Sequence, residues 1–337
     1  MQIMGRQQEL DAVAVPGFVS TGQMPEAATV ERLVAEAHAL FATESAGAVS
    51  SVYPALGQVS GALFGICIVG TSGRIYAAGA AEHPFTIMSV SKPFMFALAC
   101  EELGAREVRD RLGVNATGLP FNSVTAVEQG PDGRTNPMVN AGAIATTSLA
   151  PGAAFADRWR FVLDGLSRFA GRRLSLNEEV YASAAATNIR NRSIARLLES
   201  YGRIWLDPLE ATDLYTRQCC LDVTAKDLAV MGATLADGGV NPVTGERVIA
   251  ATTCKATLAV MATAGLYETS GEWLYDIGLP GKSGIGGGIV TVSPGKGGIG
   301  TFSPLLDAAG NSVRGQMVAR FFSERLGLSL FASQPET

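Results

Sequence analysis

The spacing of apolar positions changes repeatedly along the chain. From Glu26 to Thr43, Val30, Leu33, Val34, Ala37 and Leu40 recur at helical intervals with acidic residues between them, which predicts an amphipathic helix. Residues 1 to 25 carry no such period and read as an N-terminal arm. Ala62 to Val69 is an apolar run of strand length, Thr71-Ser72-Gly73 a turn, and Arg74 to Ala78 its partner strand. A helix is predicted after Ser89, with Pro93 in its first turn and Phe94, Phe96, Ala97 and Leu98 on its apolar face.

Between about 105 and 280 the pattern is mostly helical. Thr224-Ala225-Lys226-Asp227 opens one helix like a capping box with Asp in place of Glu, Gly238-Gly239 closes it, and Asn241 to Gly245 forms a turn. Strand patterns return at Gly284 to Val292 and Gly298 to Phe302, on either side of a turn over Ser293 to Gly297. A last amphipathic helix spans about Ser312 to Arg325. Strands at both ends of a helical middle predict an α/β (α+β) fold: one sheet closed by the two ends, with a helical insertion as a second lobe. The sheet lobe is expected over about 45–104 and 281–331, the helical lobe over about 105–280, and a tail over 332–337.

Composition narrows the function. With 47% hydrophobic and 17% charged residues over 337 positions, the chain can bury a sizeable core. A net charge of −5 gives no reason to bind nucleic acid or an anionic membrane. The longest apolar run, Gly61 to Gly70, is too short to span a bilayer, and no basic segment followed by an apolar core marks a signal peptide. The five cysteines, Cys67, Cys100, Cys219, Cys220 and Cys254, lack CxxC spacing, so reduced, buried thiols in a cytoplasmic protein are expected rather than a zinc or disulfide framework.

The chain has only two histidines, His38 and His83, and a structural role is the plainer reading of each, so a Ser-His-Asp triad is a poor candidate. Ser89-Val90-Ser91-Lys92 offers another base. Residues three apart share a helix face, so Ser89 and Lys92 can meet, and a buried Lys92 would have its pKa lowered enough to accept the serine proton. SxxK alone arises by chance, usually as a capped helix with a solvated lysine. Lys282-Ser283-Gly284 changes that weight. It heads a glycine-rich stretch resembling the K-[ST]-G element that faces the SxxK serine in β-lactamases and penicillin-binding proteins. Its lysine would depress the pKa of Lys92 further, and the N–H of Ile285 could join that of Ser89 as an oxyanion hole. The plainer reading of Gly284 to Gly288 is a bulged edge strand.

Six further segments carry a family resemblance. They are Gly118 to Ser123, Asn136 to Ile144, Tyr215 with Gln218-Cys219, Thr224 to Gly245, Gly278-Leu279-Pro280 with Lys282-Ser283-Gly284, and Gly310 to Gly315. With Ser89 and Lys92, they make the chain from about 26 to 331 resemble the serine-dependent glutaminases. That resemblance implies a β-lactamase-like fold, an antiparallel sheet flanked by helices beside a mainly helical lobe. It also implies attack of Ser89 on the side-chain amide of glutamine and hydrolysis of the resulting γ-glutamyl ester. By the same resemblance Lys92 is the base partner, Tyr267 relays the serine proton, and Tyr215 lines the pocket. Asn140 and Asn191 bind the amino-acid end of glutamine, and Ile285 supplies an oxyanion-hole N–H. Neither a metal nor an organic cofactor is called for; a small-molecule amide substrate and a homodimer or homotetramer are expected.

Three positions depart from the family pattern. Val52 stands where a tyrosine is expected, with Tyr53 shifted by one; Met88 replaces the glutamine before the nucleophile; Ala184 replaces the glutamate expected to hold the substrate's α-ammonium. In an extended stretch Tyr53 would face away from Val52, and Glu178 and Glu179 lie too far along the chain to substitute readily. Losing one partner of a buried ion pair costs about 3–5 kcal/mol, at least about a hundredfold in affinity. The first expectation is therefore a serine amidohydrolase for a glutamine-like or γ-glutamyl-type amide other than free glutamine. An ordinary glutaminase, an acyltransferase and a non-catalytic binding homologue are the alternatives.

Overall fold

The computed structural model describes residues 24–332. The arm expected over 1–25 and the tail over 332–337 lie almost wholly outside the described residues. The first helix, α1 (Ala27–Phe41), buries Val30, Leu33, Val34 and Ala37, four of the five positions its spacing picked out. Strands β1 (Gly65–Gly70) and β2 (Ile75–Gly79) form the expected hairpin, β1 fully buried and β2 alternating as an edge strand should.

Strand β3 (Phe85–Thr86) leads into a single 3-10 turn, Met88–Val90, and then into α2 (Ser91–Leu103), whose first ten residues are all buried. The helical middle continues as α3 (Ala105–Leu112), α4 (Thr125–Gln129), α5 (Asn140–Thr147) and α6 (Phe155–Ala170). After β4 (Ser175–Leu176) come α7 (Glu178–Thr187), α8 (Ile189–Ser200) and α9 (Pro208–Cys219). Strand β5 (Leu221–Val223), α10 (Ala225–Ala236), α11 (Ala251–Ala264) and α12 (Ser270–Ile277) complete it. The chain closes with β6 (Gly281–Ser283), β7 (Gly288–Ser293), β8 (Gly297–Phe302) and α13 (Val313–Arg325).

The two chain ends build one five-stranded antiparallel sheet in the order β2-β1-β8-β7-β6, and β3-β5-β4 form a small second sheet within the helical half. One expectation needs correcting. Gly284 to Val292 is not a single strand: β6 ends at Ser283, and a tight turn with Gly287 N–H donating to Gly284 O separates it from β7. The bulged-edge reading of Gly284 to Gly288 fails with it, because Gly287, at φ +94°, sits in the left-handed region that a turn demands. A run of glycines carries no side-chain period from which that turn could be read.

Two local features fix how the helical half meets the sheet. Thr224 and Asp227 cap α10 reciprocally, side chain to backbone in both directions, as the capping-box spacing predicts. That helix then lies directly on β8: a methyl group on Gly300 would come within 1.9 Å of Ala225 O, and one on Gly298 within 2.3 Å of Ala229 O. Both histidines are structural, His38 stacked on Phe64 and His83 on Phe302. All five cysteines are free and buried. Among the described residues, no helix is long and apolar enough to cross a membrane.

Candidate active site

Ser89 stands at the end of a strand and the start of a helix, in the 3-10 turn between β3 and α2. The residue before it, Met88, is held at φ +46°, which a side-chain-bearing residue adopts only under strain. What holds it is a buried polar chain. Thr147 Oγ1 donates to Gln218 Oε1 at 2.8 Å, Gln218 Nε2 to Ser91 Oγ at 2.9 Å, and Ser91 Oγ to Met88 O at 2.8 Å. Gly284 matters here as well: a Cβ at that position would sit 3.0 Å from Ile87 O and 3.3 Å from Ser89 N, so any side chain would press the β6–β7 turn away from Ser89 by a few tenths of an ångström. The N–H groups of Ser89 and Ile285 have no hydrogen-bond partner among the described residues.

The polar groups around Ser89 converge from both halves of the fold. Tyr267, at φ +55°, lies on the Ser89 side of the site and donates its hydroxyl to Ser283 O at 3.2 Å. Burial raises its pKa, so it is a phenol at neutral pH. Lys282 is fully buried, with Nζ 4.4 Å from the centre of the Tyr267 ring; it donates to Gly265 O and Ser283 O. Burial, and then the nearby Lys92, push its pKa well below the ordinary lysine value.

Lys92, 1% exposed, is pushed down to about 7 by burial. Its Nζ donates to Asn140 Oδ1 at 2.8 Å and to Met138 O at 3.2 Å, and no hydrogen bond joins it to Ser89. The 3-10 turn Met88–Val90 runs directly into α2, so Ser89 and Lys92, three apart, stay on one side of the element, with the lysine head turned to Asn140 and Met138. Asn136 explains how Asn140 arrives: its Nδ2 anchors on Val114 O and Asn115 O, its Oδ1 accepts from Met138 N–H, and the loop is fixed where α5 begins.

These groups open into a cavity of about 170 Å3. Ser89, Met88, Asn140, Asn191, Tyr215 and Ile285 line it, as do Ala184, Val52 and Tyr53. Lys92, Tyr267 and Lys282 lie behind that lining. Tyr53 corrects the sequence reading. Val52 is 56% exposed at the rim, and Tyr53 does not turn away from the cavity; its phenol is largely buried beside Cys219 and Cys220. Tyr53 is extended (φ −121°, ψ 133°), so it and the exposed Val52 do diverge, and the inward-facing one that borders the cavity is Tyr53. Ala184 lies on the wall, 1% exposed, and neither Glu178 nor Glu179 reaches the cavity. A larger depression of about 640 Å3 lies between the β1–β2 and β7–β8 turns, remote from all of these groups. Among the described residues no three His, Cys, Asp or Glu side chains are placed to hold a metal ion.

The family model for glutaminase matches residues 47–331. The chain belongs to the glutaminase family. It is 66% identical to "Glutaminase 2" of Yersinia pestis over 95% of this chain and 94% of that one, and 48% identical to a glutaminase of Mycobacterium marinum over 90% and 95%. Among solved structures it is similar to a probable glutaminase, ybaS (TM-score 0.90, 44% identity, covering 91% of this chain and all of that one). It is also similar to Mglu in its tris and glutamate form (TM-score 0.86, 37% identity, 91% and 68%). The fold is the β-lactamase-like one, and this glutaminase-family protein is an amidohydrolase. Sequence reasoning anticipated most of its pocket. It missed the place of Tyr53 and the Thr147-Gln218-Ser91 chain, of which only Gln218, in the motif with Tyr215, gave a signal.

Proposed function

We propose that the protein hydrolyses a side-chain amide through an acyl-enzyme on Ser89. The observation that carries this is the placement of a buried serine, held behind the strained Met88, near the Tyr267 phenol and two unpaired amide N–H groups, with two desolvated lysines behind. Ser89 Oγ attacks the amide carbonyl as its proton passes to Tyr267, whose own proton moves on toward the lysine pair. Above about pH 7 Lys92 is neutral and able to take it. The oxyanion forms against the Ser89 and Ile285 N–H groups. Collapse expels ammonia, and water then cleaves the ester.

The preferred substrate on this reading is a glutamine-like amide without a free α-ammonium, because no Asp or Glu lines the cavity and Ala184 offers no charge. Quenching the enzyme during turnover of a slow amide and mapping its peptides by mass spectrometry should find acyl mass on the peptide containing Ser89. Undiminished ammonia release by Ser89→Ala would overturn the acyl-enzyme.

One set of observations favours L-glutamine itself: the 66% identity to a protein named Glutaminase 2, and a similar structure, Mglu, described in a glutamate form. Tyr53, reaching the cavity from one position along, supplies a phenol near where the family tyrosine is expected. Ammonia release from L-glutamine at high concentration separates the two readings.

A further inference from the structure

The start of α8 brings hydrogen-bond donors to the lining of the cavity. Arg190 is the one charged side chain among the residues lining the cavity. Its Nε donates to Asn122 O at 2.7 Å across the mouth, and among the described residues no carboxylate pairs with its guanidinium. It sits in the first turn of α8, where no side chain caps the helix and the N–H groups of residues 189–191 have no partner among the described residues. That turn carries the positive end of the helix dipole. Asn191, only 5% exposed, accepts from Asn140 through Oδ1, while its Nδ2 donates to nothing in the described chain. An exposed cation at the mouth, a buried amide with a free donor and an open helix start thus border a cavity lined by no Asp or Glu.

We propose that this face is a carboxylate clamp with Arg190 as its specificity residue. The substrate class is then a primary monoamide that ends in a carboxylate and carries no free ammonium. Two sources share that chemistry: the ω-monoamide of a short dicarboxylic acid, and glutamine acylated on its α-amine. The inference rests on the Ser89 acyl-enzyme reading and names the substrate of that same site. A free α-ammonium would lose part of its hydration beside Arg190 with no anion in the lining to replace it. The carboxylate is instead met by the guanidinium and by Asn191 Nδ2. An N-acyl group would leave past Val52 and Thr187, both exposed at the rim. The chemistry balances without redox: the Ser89 Oγ–carbon bond forms as the carbon–nitrogen bond breaks, ammonia departs, and water splits the ester to the free acid and serine.

The test is steady-state ammonia release from glutaramate, N-acetyl-L-glutamine, L-glutamine and the uncharged pentanamide. Either carboxylate-bearing amide without an ammonium should exceed L-glutamine in kcat/KM. Glutaramate ahead identifies the dicarboxylate monoamide, and N-acetyl-L-glutamine ahead identifies the acylated amino acid. Arg190→Gln should raise KM for the preferred amide about ten- to a hundredfold with kcat changed little, Arg190→Lys should recover part of it, and pentanamide should be indifferent. Preference for L-glutamine overturns the clamp, as does an equal loss on pentanamide, which would make Arg190 only a brace for the mouth. Persisting turnover by Ser89→Ala overturns the acyl-enzyme reading separately. Binding adds a readout independent of turnover: glutarate should bind the Ser89→Ala protein at least about tenfold more tightly than L-glutamate, and equal or weaker binding overturns the clamp.

Discussion

Lys92 Nζ donates to Asn140 Oδ1 at 2.8 Å, and the same Asn140 gives its Nδ2 to Asn191 Oδ1 at 3.0 Å. One amide therefore ties the lysine behind Ser89 to the Asn191 wall of the cavity. Tyr215 leans on it too, its hydroxyl 3.4 Å from Asn140 Oδ1. Three side chains, Lys92, Asn191 and Tyr215, thus meet at a single buried residue.

Asn140→Ala should lower both halves of the reaction. It removes the acceptor that favours the charged form of Lys92 and leaves the Asn191 side chain without its donor. The expected loss in kcat/KM is at least about a hundredfold, roughly 2.7 kcal/mol. The acid limb of the pH profile should also move to lower pH, because Lys92 gives up its proton more easily without that acceptor. Steady-state kinetics across pH read both effects.

Activity should rise with pH through about 7, where Lys92 becomes neutral. Lys92→Arg, permanently charged, should be inactive at every pH. The same shift appears in stability. Folding lowers the Lys92 pKa from 10.5 to about 7, so between those values the unfolded chain binds more protons than the folded one and stability increases with pH. Below about 7 the ammonium is buried at a cost. Denaturant midpoints of wild type minus Lys92→Met should climb from pH 7 to pH 10.

Ala184→Glu should restore an anion to the wall. The position faces a cavity with room for the longer side chain. L-Glutamine turnover should improve about tenfold or more in KM, while a carboxylate-bearing amide without an ammonium should be repelled and lose by a similar factor. Comparing kcat/KM for the two substrates in wild type and variant checks the crossing.

Gln218→Met keeps volume but cuts the chain from Thr147 to Ser91 and so loosens the hold on Met88. The expected result is a folded protein with kcat down about tenfold and KM nearly unchanged, because Gln218 touches no substrate. Met88→Ile, which puts a β-branched residue at φ +46°, should cost stability as well, about 1–3 kcal/mol in chemical denaturation.

Ser89, Lys92 and Lys282-Ser283-Gly284 were legible in the sequence because short spacings fix local geometry. The two ends of the sheet were legible because apolar runs of strand length have few other uses. The β6–β7 turn was not, since glycines leave no pattern. Tyr53 was not read into the pocket because alternation tells that Val52 and Tyr53 diverge but not which of them points inward. Arg190 gave no signal at all: one arginine in an ordinary helix acquires meaning only when the neighbouring walls are seen to hold no carboxylate. The strain at Met88 was equally silent, because no residue type announces a positive φ except glycine.

The contact between α10 and the glycines of β8 is set by peptide planes, with no side chain between them. Its spacing cannot drift with rotamer changes, as most helix-to-sheet contacts can. β8 pairs with β7, and β7 begins where the Ile285 turn ends. The Ile285 side of the cavity therefore hangs from a fixed datum, and a change in the α8 wall across from it need not move Ile285.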